Sequence, residues 1–484
     1  MPRQKSLQFN YILNTFRVIM GIIFPLITFP YASRILLPEG IGRVDFARSV
    51  IAYFIILSTV GIPLYGVREV AKVRDNKDKL SKLAQELFIL NIFFTIISYI
   101  ILFAVLQLND KLYAQRELIV LMSTVIIFTT IGIEWLYQAL EEYLYITVRT
   151  IIFQILSMIL LFTFVRSKED YLIYAGLNVF SSVGSNIINF IHARKYISLK
   201  RFKKYDFKKH LKPIFTIFGM NLAVSIYVNL DSVMLGLISG NAAVGIYSAA
   251  IKINKVVLAV VTSLGTVLLP RSSYYFQNGR IEEFNNLILK AIDFIMLLAI
   301  PAGVGLFLLS NEIILIFSGT HFSAAGLTMK ILTPIIFIIG LSNLIGIQIL
   351  VPTGREKYTF YSVLVGAITN FTLNYFLIRY YAQNGAAVAT LIAESCVTII
   401  QIYFAWHFLK DKLFTKSKIV VVYETFAIFL IVFTVKQIFT NNIYIILISV
   451  TLALIAYSVL LTITKNSLFM DGLNKLFRRK VDVF

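Results

Sequence analysis

The chain has 484 residues, 58% of them hydrophobic and only 14% charged, with a mean hydropathy of +0.80. Apolar stretches of roughly 20 residues recur along it, the length a helix needs to cross about 30 Å of hydrocarbon, so this is the composition of a polytopic membrane protein and not of a soluble one. The net charge of +20 is read as membrane topology and attraction to anionic lipid, which leaves no call for a nucleic-acid partner.

Residues Met1 to Asn10 set Arg3 and Lys5 before an apolar run, as a signal peptide does. No small-x-small cleavage site follows, and the segment is read as a retained first helix. Hydropathy then predicts about fourteen spans, near residues 9–33, 43–64, 83–108, 117–140, 146–165, 170–191, 213–238, 244–270, 284–309, 327–351, 358–378, 385–407, 419–439 and 442–463. The connections are short, the longest running from His192 to Lys212, so no extramembrane domain is expected. Cys396 is the sole cysteine and excludes an intrachain disulfide. His192, His210, His321 and His407 are too scattered for metal-ligand spacing. Neither a metal, an organic cofactor nor a catalytic constellation is expected.

Polar residues inside the spans fall into stripes. The first span carries Asn10, Asn14, Arg17, Gly21 and Thr28, and the eighth carries Ser248, Lys252, Lys255, Thr262 and Thr266 at helical spacing. A cation at the centre of a bilayer costs about 2.5 to 3.5 kcal/mol on an insertion scale, so Arg17, Lys252 and Lys255 are expected to line a hydrated cavity or meet an anionic ligand, with Arg48 of the second span next. Stripes in the sixth span (Asn178, Ser182, Ser185, Asn189) and the twelfth (Glu394, Thr398, Gln401) are read chiefly as helix-packing contacts. Asp231, Asp293 and Glu394 are candidates for ion pairing, Asp231 with Lys252 or Lys255, or for coupling to H⁺ or Na⁺. Glu134 is read as facing a partner helix. Arg149, Lys290, Lys330 and Lys436 lie near span ends, where a long side chain snorkels to the interface.

Lys and Arg concentrate in alternate connections, 68–82, 192–212, 410–418 and 465–480, which places both termini in the cytoplasm. The string Leu36 to Gly42 before the second span resembles Ser239 to Gly245 before the eighth. Glu141-Glu142-Tyr143 resembles Glu356-Lys357-Tyr358. These weak repeats predict an all-α membrane protein built as two pseudo-repeated six-helix bundles around a central cavity, 1–191 and 213–409. A basic cytoplasmic linker, 192–212, joins them, and 410–484 adds two helices and a basic tail. Repeated halves of this kind give secondary transporters a central site open to each side in turn.

Four strings then point to a family: Gly132 to Glu141 (GIEWLYQALE), Asn229 to Gly236 (NLDSVMLG), Val244 to Ala250 (VGIYSAA) and Gly385 to Glu394 (GAAVATLIAE). In order and at matching spans, over nearly the whole chain, they resemble the Wzx-type polysaccharide flippases of the multidrug/oligosaccharidyl-lipid/polysaccharide exporter superfamily. The resemblance implies a V-shaped pair of six-helix bundles. It also implies transfer of an undecaprenyl-diphosphate-linked oligosaccharide repeat from the inner to the outer leaflet, for capsule, O-antigen or a related polymer, in company with membrane lipids, a polysaccharide polymerase and other assembly proteins. A diphosphate cargo would explain cations inside the membrane, with Arg17 bidentate and Lys252 and Lys255 as point charges.

Three rivals stand beside this reading. A peptidoglycan-precursor flippase of the superfamily also uses a cationic cavity. A multidrug cation antiporter should hold acids in its first half-bundle, yet Phe9 to Leu37 contains Arg17 and Arg34 and no acid. A membrane polymerase or glycosyltransferase needs acid/base machinery, usually on a substantial non-membrane loop.

Overall fold

The structure, a computed structural model, describes residues 7–410, 412 and 416–471. Arg3 and Lys5, the side chain of Thr266, part of the 410–418 connection and the tail beyond residue 471 lie outside the described residues.

The described chain is all helix, without a strand. Its elements are α1 (Leu7–Thr59), α2 (Ile62–Val73), α3 (Lys77–Leu108), α4 (Asp110–Tyr113), α5 (Arg116–Gly132), α6 (Glu134–Ala139), α7 (Tyr143–Phe164), α8 (Tyr171–Val183), α9 (Asn186–Ala193), α10 (Lys208–Ile238) and α11 (Asn241–Gln277). There follow α12 (Ile281–Ser318), α13 (Ala325–Leu332), α14 (Ile335–Asn343), a π-helical turn (Leu344–Leu350), α15 (Glu356–Leu409), α16 (Lys416–Ile438) and α17 (Asn442–Ile463). Among the described residues, eleven stretches are long and apolar enough to cross a membrane. Two of them bend into two spans each. α1 breaks at Leu37, with Pro38 opening the next turn, where the lost N–H is one that a helix start leaves unpaired anyway. α15 breaks at Ala382. With α8 and α9 as the sixth span, the fourteen predicted spans are accounted for.

The chain forms two compact units, Met1–Gly245 and Ile246–Phe484. In the first, α1 runs beside α3, α5, α7, α8 and α10. The faces of α3 show how a membrane inverts the usual pattern. Ile89, Phe93, Ile96, Ile100 and Phe103 recur at helical spacing and stay exposed, as side chains against lipid do. The opposite face turns Asn91, Thr95 and Ser98 inward, where Asn91 donates to the Ser58 carbonyl (2.9 Å), Thr95 meets Thr130 (2.7 Å) and Ser98 donates to the Phe54 carbonyl (2.8 Å). Lipid tails are as apolar as Leu, so such bonds, and close packing, hold membrane helices together.

The basic connection between α9 and α10 is fastened to the start of α3. Glu86, fully buried, accepts from the Asp206 backbone N–H (2.8 Å), His210 Nε2 (2.9 Å) and Lys209 Nζ (3.0 Å), while His210 Nδ1 meets the Tyr65 hydroxyl (2.8 Å). A buried carboxylate without partners is strongly destabilising, and here three donors satisfy it. At the other end of the unit, Asp170 accepts from the backbone N–H groups of Arg166 (2.8 Å) and Ser167 (2.7 Å), which hold its carboxyl below the usual range and order the turn before α8.

In the second unit, α12 lies against α13, α14, α16 and α17. Two ion pairs join α12 to α16, Asp293 with Lys418 (3.2 Å) and Glu312 with Lys436 (2.8 Å). At about 1.5 Å rise per residue they stand roughly 28 Å apart, about one hydrocarbon thickness. The stripe on the second half of α15 stitches helices together: Gln401 accepts from Ser342 (3.1 Å) and donates to Ser362 (3.1 Å), and Thr398 donates to the Ile338 carbonyl (3.3 Å).

The two strings that resemble one another, Leu36 to Gly42 and Ser239 to Gly245, also touch. Gly42 lies against the backbone of Asn241, and Gly245 lies against the backbone of Pro38, with no room for a Cβ at either. Leu37 and Gly240, at the same relative place in each string, both have positive φ, 59° and 90°. The contact is reciprocal, as in an isologous interface, and it lies within the first unit.

Candidate functional site

Arg17 lies about 12 Å along α1 from Phe9, inside the apolar part of the helix. Its Nη1 donates to Glu134 Oε1 at 2.6 Å and its Nη2 to Asn14 Oδ1 at 3.3 Å. Glu134 comes from the break between α5 and α6. Ile133 takes a left-handed conformation (φ 36°), α5 stops at Gly132, and the chain restarts with Glu134 in the first turn of α6, where a carboxylate suits the helix dipole. Gly132 is pressed on by the Asn186 side chain, which donates to the Phe128 carbonyl (3.0 Å).

A second guanidinium stands on the other side of Glu134. Arg149 Nη2 is 3.7 Å from Glu134 Oε2, and its Nη1 donates to Asn186 Oδ1 at 3.4 Å. Arg149 is 7% exposed, its Nε makes no hydrogen bond among the described residues, and it faces the Tyr145 ring at 5.8 Å. Residue counting along the span places Arg149 close enough to the end to snorkel. The structure turns it inward instead, because its face of α7 meets α9 and the start of α6. Two guanidiniums against one carboxylate leave one net positive charge within an apolar bundle. Arg17 keeps 24% of its side chain accessible, against 6% for Arg149. The cluster therefore offers an approaching anion the Arg17 fork, while Arg149 holds Glu134 from behind.

The other predicted residues distribute as follows. Arg48 pairs with Asp45 (3.2 Å) and donates to Asn178 (2.7 Å), so the outer part of the sixth-span stripe meets a cation. The deeper part packs: Asn189 donates to the Gly132 carbonyl at 3.0 Å, and Ser185 is buried. Asp231 is buried on α10 in the first unit. Lys252 is half-buried and Lys255 exposed on α11 of the second unit, as is the half-buried Glu394 on α15. Asp293 is the acid of the pair with Lys418.

Hydropathy alone misses Arg149, Asn186 and the clasp of Glu86 with His210. The signal nearest to the cluster is the string GIEWLYQALE, which contains Glu134 and the backbone break that presents it.

Comparison with known proteins agrees with the motifs. The family described as polysaccharide biosynthesis protein matches residues 9–276, and the MatE family matches residues 216–376. A putative O-antigen transporter of Escherichia coli strain K12 is 26% identical over 386 residues, 79% of this chain and 92% of that protein. Among solved structures, a lipid II flippase MurJ in an inward closed conformation aligns with a TM-score of 0.66 at 18% identity, covering 95% of this chain and 99% of that one. An inward-facing MATE family multidrug resistance transporter aligns at 0.62 and 12% identity, covering 83% of this chain and 98% of that one. At such identities the structures speak for the fold alone. The match to residues 9–276 spans more than half of the sequence, and the chain belongs to the polysaccharide biosynthesis protein family, within the exporter superfamily to which its motifs point.

Proposed function

We propose that the protein is a flippase that carries an undecaprenyl-diphosphate-linked oligosaccharide from the inner to the outer leaflet of a bacterial inner membrane, for a surface polysaccharide such as capsule or O-antigen. The family, the O-antigen transporter relative and the transporter fold support the coarse reading. The observation that carries the finer one is the pairing of Arg17 and Arg149 around Glu134, a net cation inside the apolar bundle.

In this reading the diphosphate competes with Glu134 for Arg17. A guanidinium binds phosphate through two parallel hydrogen bonds, and in a poorly hydrated site such charge-assisted bonds are about twice as strong as neutral ones. Glu134, still held by Arg149, makes the exchange reversible: the ion pair re-forms as the cargo leaves. Arg48, Lys252 and Lys255 add positive charge along the route, and the prenyl tail stays in lipid. Alternating access, the mode that repeated halves suggest, moves the cargo, with both termini cytoplasmic. Cargo shifts that equilibrium only by its differential affinity for the two states. Asp231 and Glu394 are the acids on which H⁺ or Na⁺ coupling would act.

The test uses purified protein in liposomes with a fluorescent undecaprenyl-diphosphate oligosaccharide and a membrane-impermeant quencher. Protein-dependent loss of inner-leaflet signal is expected. Absence of transfer, with ion-driven dye efflux in its place, would sink the reading in favour of an antiporter.

A further inference from the structure

The end of the first unit away from the basic linker carries a pocket of about 480 Å³, formed where α3 gives way to α4 and α5, where α8 begins and where α10 gives way to α11. Arg43, Lys111 and Arg116 all line it. Their convergence is unexpected, because the charge rule that governs topology depletes Lys and Arg from this side of the membrane. Their surroundings are ordered. The Arg43 guanidinium lies 5.0 Å from the centre of the Tyr171 ring and pairs with Glu39 (3.0 Å), which also accepts from Asn241 Nδ2 (3.0 Å). Arg116 lies 4.6 Å from the centre of the Tyr113 ring. Lys111 donates to the Leu237 carbonyl at the end of α10 (2.5 Å), using one of its three hydrogens. Gln115 donates to Asn241 (3.1 Å), while its own Oε1 is buried without a hydrogen bond among the described residues. Glu117 is the acid on the lining and Glu39 the acid already engaged, so three cations face two carboxylates.

From this arrangement we infer a binding site for an oxyanion on a saccharide, a sugar phosphate or a uronate. The guanidiniums and the ammonium recognise the anion, while the Tyr171 ring and the side-chain amides of Gln115 and Asn241 suit a sugar ring, in a pocket of ordinary ligand size. The identity of the natural ligand as the head of the transported lipid rests on the flippase reading; the pocket itself does not. An anionic phospholipid headgroup offers the same chemistry and is the competing source.

The experiment is calorimetric titration of the full chain in neutral-lipid nanodiscs at physiological salt with glucose 1-phosphate, glucuronate and glucose, in an Arg17→Gln background so that the Glu134 cluster contributes nothing. Binding of the two anions but not of glucose is expected. Lys111→Gln with Arg116→Gln should weaken it by about tenfold or more, and Lys111→Arg with Arg116→Lys should retain it. No binding, or equal binding by the doubly neutralised and parent proteins, overturns the site. A further loss of sugar-phosphate binding in phosphatidylglycerol nanodiscs supports an oxyanion site and assigns it to lipid. Binding of glucose 1-phosphate here, together with parent protein, Arg17 intact, that moves no lipid-linked oligosaccharide, contradicts the flippase reading and leaves the pocket standing.

Discussion

Gly42 and Asn241 meet backbone to backbone, and the repeat-related pair Gly245 and Pro38 meets in the same way. The reciprocal contact makes both glycines obligatory for the same steric reason. Gly42→Ala and Gly245→Ala should each lower stability in detergent by about 1–3 kcal/mol, the usual range for overpacking. Gly21→Ala, at a position with open space around it, should leave the melting temperature within about a degree or two. Thermal unfolding of the three variants side by side checks this.

Removing Glu134 strands two guanidiniums. Loss of one partner from a fully buried pair is worth about 3–5 kcal/mol, but Glu134 keeps 36% of its side chain accessible, so Glu134→Gln should destabilise by only about 1–2 kcal/mol. Its effect on cargo is expected to be opposite in sign. With no internal carboxylate to displace, a lipid diphosphate should bind more tightly and leave more slowly. Equilibrium binding and turnover on the same preparation would show both.

Asp293 lies on an ion pair whose counterpart, Glu312 with Lys436, stands at the far end of the same two helices. The pairs are therefore expected to fix α16 to α12 at the two edges of the membrane. Asp293→Asn should lower thermal stability, and Asp293→Asn with Lys418→Met should recover much of it, since neutralising both partners leaves no charge unpaired. Any dependence of transport on an ion gradient should survive in the double variant. If that dependence vanished, Asp293 would be a coupling residue.

The basic connection between α9 and α10 is held by Glu86 and His210. Glu86→Gln should release residues 194–207, and limited trypsin digestion, slow in the parent because the Lys and Arg side chains ride on an anchored backbone, should cut there first. Unchanged cleavage would show that the hydrophobic contacts of Ile197 and Phe207 suffice without the carboxylate.

Much of the fold is legible in the sequence because hydropathy with a period of one bilayer is a strong signal. The fourteen spans follow from it, and the gap between the spans at 9–33 and 43–64 is where α1 breaks, at Leu37. The pairing of charges does not follow from hydropathy. Glu134 approaches Arg17 from a distant helix, and only the left-handed turn at Ile133 aims it there. Arg149 misleads because depth counted along a chain ignores which face of α7 it occupies. The repeat strings are visible as a resemblance, whereas their mutual contact is made by tertiary packing of residues about 200 apart, which no local pattern encodes. The break at Ala382 has no proline or glycine at that residue to announce it.

The central claim is that Arg17 meets the anionic head of a lipid-linked oligosaccharide. Transfer of fluorescent undecaprenyl-diphosphate oligosaccharide by Arg17→Gln, Arg17→Lys and parent protein, in liposomes at matched amounts of folded protein, tests it most directly. Each lost bond to a charged group is worth about 1.5–3 kcal/mol, so Arg17→Gln should slow transfer by at least about tenfold, with Arg17→Lys intermediate. Full-rate transfer by Arg17→Gln would contradict the account.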